Sequence, residues 1–496
     1  MRYIVSLISL LLSLTANAQI SRLGDDLKYC VELSGQVGDG ESTPFWQMSN
    51  RSGLACVDNN SGYLRAGIMR DVHADSLRNW RVGYAADFVV PAGFSSKFIL
   101  QQCFVDVRYK VLGLLVGQKE NGLELKNDRL SSGAMTLGMN ARPVPQVKLG
   151  LPEFWIIPRT GDWLAVKGFL SYGMYTDNRW QRNFNAGNPA FMYTQNSLYH
   201  SKAAYIRVGN TERFPVKVTG GIEMISQFGG KVWNRIQDDK GNFINPYNLN
   251  GGVKDFFHAL VPTGSDVTDG DNPNVMGNHL GSYLLRADYE SKGWGASFYC
   301  EHFFEDHSMM AFKFSWKDML YGAELKFPKN PVMSSVLYEY IRTTDQSGPV
   351  FENSINGIKG IGGVDDYYNH GIYGAYQHAG FVMGTPLLLS PVYNKDGNIN
   401  CYDNRITANH FGFSGNPSDE FSYRLLYTRE KSWGSYKTPR TDPAVGHFFL
   451  AELCYMPQKV QGLGVTLSYG QNVGELLGKS KGAMLTVSYS GLFRKK

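Results

Sequence analysis

Apolar and polar residues alternate along much of this chain with a period of two, the spacing that sends successive side chains to opposite faces of a β-strand. The pattern is plainest near the C-terminus. Leu485, Val487, Tyr489 and Phe493 alternate with Thr486, Ser488 and Ser490, and Leu463, Val465, Leu467 and Tyr469 alternate with Gly464, Thr466 and Ser468. Residues 449–455 and 423–427 repeat it, as do 63–72, 80–90, 98–109, 163–175, 198–208, 216–228, 281–290, 294–304, 320–327 and 333–342. About 16 to 20 such segments are expected, most near the 9–11 residues that a tilted membrane strand requires. The expected fold is all-β: one large antiparallel transmembrane β-barrel of about 18 strands, since closure removes exposed sheet edges. Residue Phe493 places an aromatic at the end of the last strand, followed by Arg494-Lys495-Lys496.

Two stretches do not alternate. Residues 241–278 carry Pro246, Gly251-Gly252, Pro262 and Pro273, with one predicted short helix over Val253–Leu260; residues 346–404 are rich in Gly, Asn, Asp and Tyr. Both are expected to be extracellular loops or segments folded into the lumen, so that a few short helices plug or cap it. No fixed-period repeat or low-complexity linker divides the chain, which predicts a single domain over 19–496.

The first residues read as a secretory leader. Arg2 supplies the positive start, 3–14 is apolar with small serines, and Ala16-Asn17-Ala18 fits the small-x-small cleavage rule, giving a signal peptide over 1–18. The apolar run falls short of the roughly 20 residues of a spanning helix, as does every later one, such as 111–116. Composition then tilts the choice toward a barrel. The chain has 28 Phe, 29 Tyr, 9 Trp and 55 Gly, yet its mean hydropathy is −0.27. Strands that are apolar on one side only, with aromatics gathered at the membrane interfaces, produce this combination.

The net charge of +5 is mild, and no basic cluster with interleaved aromatics implies a nucleic-acid partner. The six cysteines are scattered without a CxxC pair; export permits a disulfide but the sequence assigns none. No cofactor motif is present. Gly474 to Ser480 imitates a phosphate loop but is one residue short and lies between strands. No GxSxG, Ser/His/Asp set or paired carboxylates stand out, so the expectation is a protein that is not an enzyme. Asp269 and Asp271 lie in an acidic turn without the spacing of a calcium loop. His302 and Asp306 belong to a run, Glu301 to His307, dense in metal-capable side chains; on a strand His302 and His307 would face opposite ways. These four are the metal candidates, and solvated polar ends are the plainer reading.

Loop aromatics beside polar groups are a different matter, because rings pack on sugar faces while amides and carboxylates bond hydroxyls. Trp46, Arg51, Trp180, Tyr367, Tyr368, Asn369 and His370 are on this ground the polysaccharide-binding candidates. The competing reading is that they anchor the wall or a plug.

At these residues the chain resembles the Wzi-type capsule assembly proteins, in a distant, longer-looped version. The stretches are STPFWQMSNRSGL (42–54), ELKNDRLSSGAMTLGMNARPVPQVKLGLPEFWIIP (124–158), LYHSKAAYIRVGN (198–210), GGIEMISQFGG (220–230), VTDGDNPNVMGNHLGSYLLR (267–286), YCEHFFEDHSMM (299–310), YEYIRTTDQSGPV (338–350) and DDYYNHGIYGAYQH (365–378). The resemblance implies a barrel of about 18 strands, helical segments near its periplasmic end, and a lectin-like role holding capsular or other surface polysaccharide outside a Gram-negative cell. Its surroundings would be outer-membrane lipid. It transfers no site residue, and nothing in the sequence sets an oligomeric state. Two rivals stand beside it: an outer-membrane channel for small solutes or oligosaccharides, and an outer-membrane enzyme.

Overall fold

The computed structural model describes residues 23–75, 78–261, 277–305, 317–346, 351–355, 358–362 and 364–493. The expected leader, Asp269, Asp271 and Asp306 lie outside the described residues.

Eighteen strands form one closed antiparallel sheet. In chain order they are β1 (Leu27–Gly40), β2 (Ser61–Arg70), β3 (Trp80–Ala92), β4 (Ile99–Tyr109), β5 (Leu112–Gln118), β6 (Gln146–Ile156), β7 (Leu164–Met174), β8 (Leu198–Val208) and β9 (Val216–Phe228). The second half comprises β10 (Asn278–Glu290), β11 (Gly295–Glu305), β12 (Met319–Lys326), β13 (Ser335–Arg342), β14 (Ile406–Gly415), β15 (Phe421–Gly434), β16 (Pro439–Tyr455), β17 (Leu463–Gly474) and β18 (Ser480–Leu492). Each strand pairs with its neighbours in sequence, and β1 pairs with β18 from Lys28↔Leu492 to Gly40↔Ser480. The predicted strand count and class are borne out.

The alternation now has a spatial meaning. In β1, Val31, Leu33 and Val37 are 44%, 60% and 64% exposed, while Ser34 and Gln36 between them are buried. Leu285, Phe298, Tyr321, Phe411 and Leu467 repeat this outward exposure around the wall. So broad an apolar outer face suits lipid rather than water. Aromatic pairs mark one rim: Trp80 with Tyr109 at 4.7 Å, Tyr289 with Trp294 at 5.1 Å, Phe421 with Tyr455 at 4.6 Å, and Tyr29 with Phe493 at 5.1 Å. That rim carries the start of β1, the end of β18 and the short connections, such as 110–111, 291–294 and 416–420. The long connections, 41–60, 119–145, 175–197, 229–277 and 343–405, all leave the opposite rim. Short turns are the periplasmic mark of such barrels, which makes the long-loop rim the extracellular one.

Helix positions differ from expectation. Among the described residues the short-turn rim carries only a 3-10 turn, Val72–Asp75. The α-helices α1 (Phe45–Met48), α2 (Trp180–Phe184) and α3 (Val253–Leu260) all belong to long-loop connections. Of these, α3 neither plugs nor caps the lumen. It packs on outward-facing wall residues: Phe256 meets Tyr172 at 5.1 Å and Phe228 at 5.2 Å, and Lys202 donates to the terminal carbonyl of Leu260.

Candidate functional site

The inward face of the wall sets the site. Buried carboxylates punctuate otherwise apolar strands, and each needs a donor. Four of them are met by one stretch of the 119–145 connection. Glu324 accepts from Asn127 Nδ2 at 2.6 Å. Glu339 accepts from the Ser131 hydroxyl and the Ser132 N–H, both at 2.7 Å, and from the Tyr299 hydroxyl at 2.5 Å. Glu301 accepts from Met135 N–H at 2.8 Å and pairs with Lys126 at 3.0 Å, both side chains only 2% exposed. Glu223 accepts from Leu137 N–H at 3.2 Å and the Tyr205 hydroxyl at 2.6 Å. Residues 126–137 thus form a strap across the lumen, tied to β9, β11, β12 and β13.

Residues 364–404 pack on that strap. The Tyr368 hydroxyl donates to Met135 O and accepts from Thr385 N–H; the Tyr376 hydroxyl donates to Thr136 O at 2.9 Å; Asn140 Nδ2 donates to Val382 O at 2.9 Å. Approach is tight enough that a Cβ on Gly384 would lie 1.9 Å from Tyr368 Oη. The short helix α1 closes a third side. Phe45 stacks on Phe448 at 4.5 Å, and Trp46 donates through Nε1 to Thr428 Oγ1 at 3.1 Å. The Thr428 hydroxyl then donates to His410 Nδ1 at 2.8 Å, and His410 Nε2–H donates to Leu130 O at 2.7 Å, fixing its tautomer. The core of the molecule is therefore this plug, filling the lumen toward the long-loop rim.

The plug takes up most of the predicted sugar-binding residues. Trp46, Tyr367 and Tyr368 are 0–2% exposed within it. Arg51 reaches Glu452 on the wall at 3.5 Å. Asn369 brackets Cys401, donating to its carbonyl at 2.9 Å and accepting from its N–H at 2.7 Å. His370 is half-buried beside Tyr373, ring centres 5.3 Å apart. Trp180 stacks on Phe184 at 4.4 Å under the long loops. A polar crevice of only about 10 Å3 at the loop end is lined by Asp177, Gln181, Asn196, Tyr373 and Gln377 and by none of the predicted sugar-binding residues. Burial pushes the Asp177 carboxyl up, against N–H donation from Arg179 and Gln181. His302 faces outward on β11, away from the inward Glu301 and Glu305, so the three do not converge. Among the described residues no three His, Cys, Asp or Glu side chains gather as a metal ion requires, and all six cysteines are free.

A cavity of about 270 Å3 remains beside the plug, along the inward faces of β4–β9. Its acids are matched: Asp106 by Arg108 at 3.2 Å, Glu120 by Arg65 at 3.1 Å, Glu124 by Lys167 at 2.7 Å. Sequence reading missed both the strap's carboxylates and this cavity. The available signal was one lone acid in an apolar, aromatic strand, as in YCEHFF or LYEYIR.

The fold is that of an outer-membrane β-barrel. Wzi of Escherichia coli, an outer-membrane protein involved in group 1 capsule assembly and a carbohydrate-binding β-barrel, is similar over 97% of this chain and 87% of its own, with a TM-score of 0.56 and 14% identity. OprD of Pseudomonas aeruginosa is similar over 95% and 96%, at 0.45 and 10%. OccAB4 of Acinetobacter baumannii is similar over 95% and 100%, at 0.46 and 9%. No family model and no curated protein matches the chain.

Proposed function

We propose that this chain is a lectin-like barrel in the outer membrane of a Gram-negative bacterium, where it binds surface polysaccharide and helps assemble or retain a capsule. The observation that carries this reading is the plug: the strap and residues 364–404 fill the lumen with packed side chains and tie it to the wall by buried carboxylates. Such a wall is suited to presenting a rigid outer surface rather than to bulk passage. The likeness to a carbohydrate-binding barrel supports the same reading.

The channel reading has one observation in its favour, the charged cavity along β4–β9. Two measurements separate them. In proteoliposomes the lectin-like reading expects no swelling in small sugars beyond protein-free vesicles. In cells, loss of the chain is expected to leave polymer synthesis intact while polysaccharide is shed into the medium. Rapid swelling, or unchanged cell-bound capsule in the deletion strain, defeats the proposal.

A further inference from the structure

Two cations that line the cavity along β4–β9, Arg142 and Lys148, make no ion pair among the described residues. Its acids are all taken, by Arg108, Arg65 and Lys167 as above and, for Glu223, by Tyr205 and Leu137. Arg142, on the plug side, makes no ion pair or side-chain hydrogen bond among the described residues, and its Nε is buried without a partner. Burial alone pushes its guanidinium down to about 10. Lys148, on the inward face of β6, likewise has no carboxylate partner; its ammonium sits 4.3 Å from the centre of the Phe169 ring. Between them on the same line is Gln146, whose Oε1 is buried with no donor. A buried guanidinium N–H and a buried amide oxygen without partners are costly unless something answers them, and both cationic side chains face the same cavity.

We propose that this lumen cavity is a binding site for a carboxylate-bearing sugar, its acid group seated between Arg142 and Lys148 and a hydroxyl donating to Gln146 Oε1. A carboxylate accepts from a guanidinium in two parallel bonds. The hydroxyl is what distinguishes the ligand from a simple anion, because Gln146 Oε1 can only accept there. The volume is just under the roughly 300 Å3 at which small-molecule sites usually begin, which suits one sugar unit rather than an oligosaccharide. The saccharide half of this inference rests on the polysaccharide reading above; the anion half stands on the two unpaired cations and the orphaned Arg142 Nε.

The test is calorimetric titration of the full chain in detergent micelles with D-glucuronate, D-glucose and acetate. Glucuronate is expected to bind and glucose and acetate to bind at least tenfold more weakly. Arg142→Gln and Lys148→Gln should each weaken glucuronate roughly tenfold, the loss of one charge-assisted bond, and Arg142→Lys should restore part of it. Heat-modifiable gel mobility checks that each variant keeps a folded barrel; Lys148→Gln, on the wall and unpaired, keeps the test alive if a plug variant misfolds. Glucuronate binding unchanged in both Gln variants, or no binding, overturns the site. Acetate equal to glucuronate overturns its saccharide half. Neither result bears on capsule retention in the deletion strain, which tests the broader reading separately.

Discussion

At the scale of single residues, the plug depends on buried groups that have one acceptable charge state. Lys126 and Glu301 are the clearest pair, because removing one partner leaves the other charged and dry. Glu301→Gln is expected to cost about 3–5 kcal/mol. Such barrels are best compared through the rate at which they open, so the readout is protease cleavage within 126–137, which should accelerate in the variant. A cleavage rate equal to wild type would mean that the strap is held elsewhere. His378 responds to pH instead. Its Nδ1–H donates to Arg142 O at 2.9 Å and its Nε2 accepts from Thr176 N–H at 3.3 Å, so both nitrogens are used by the neutral ring. Burial holds its pKa down to about 4, below the ordinary value of 6.5. The folded state therefore binds fewer protons than the unfolded one, and stability from this group is present above pH 6.5 and lost as pH falls toward 4. Plug protection from protease should decline over that window, and His378→Gln, which can keep one donor and one acceptor, should flatten the decline.

Among the elements, α3 is the one whose placement carries a consequence outside the barrel. Val253, Phe257 and Val261 share one face and are 77%, 67% and 56% exposed. The opposite face rests on outward-pointing wall residues, and the Tyr172 hydroxyl donates to Phe256 O at 2.8 Å. The exposed face is therefore continuous with the lipid-facing wall near the long-loop rim. A photoreactive benzoyl-phenylalanine at position 257 is expected to form adducts with membrane lipid in intact outer membranes, and at 256 to link within the chain; absence of lipid adducts at 257 would place the helix away from the bilayer. Legibility also differed element by element. β8 and β9 were readable to the residue because their outward and inward faces contrast, Ile206 and Val208 against Ser201 and Tyr205. The run of β5, Leu112–Gln118, hid itself because Leu115 faces the lumen beside Gly113 and Gly117, so no polar alternation survives. In β6 the register shifts between Leu151 and Trp155, which breaks the period.

For the whole molecule, class and strand number were legible because lipid on one side and a lumen on the other impose a period of two around the entire wall. The interior was not. Tyr367 and Tyr368 look the same in sequence whether they stack on a sugar or pack against Phe303, as they do at 4.7 and 5.5 Å. Their surroundings are set by partners far along the chain, from Phe303 for both to Met135 for Tyr368, 233 positions away, and pattern carries no record of such distances. The cavity was hidden for the same reason, since which of its cations stay unpaired appears only after every other ion pair has been made.

The seam between β1 and β18 has a consequence for timing. Every other strand pairs with its immediate neighbour in sequence, so the wall can grow as a meander from local hairpins. The seam alone joins Lys28 to Leu492 and must await the last strand. Until then two strand edges stand open and invite pairing with other chains. The strap and residues 364–404 lie between those strands in the chain and inside them in space. The seam is thus the one place where the wall's completion depends on contacts between the two ends of the sheet rather than on local hairpins.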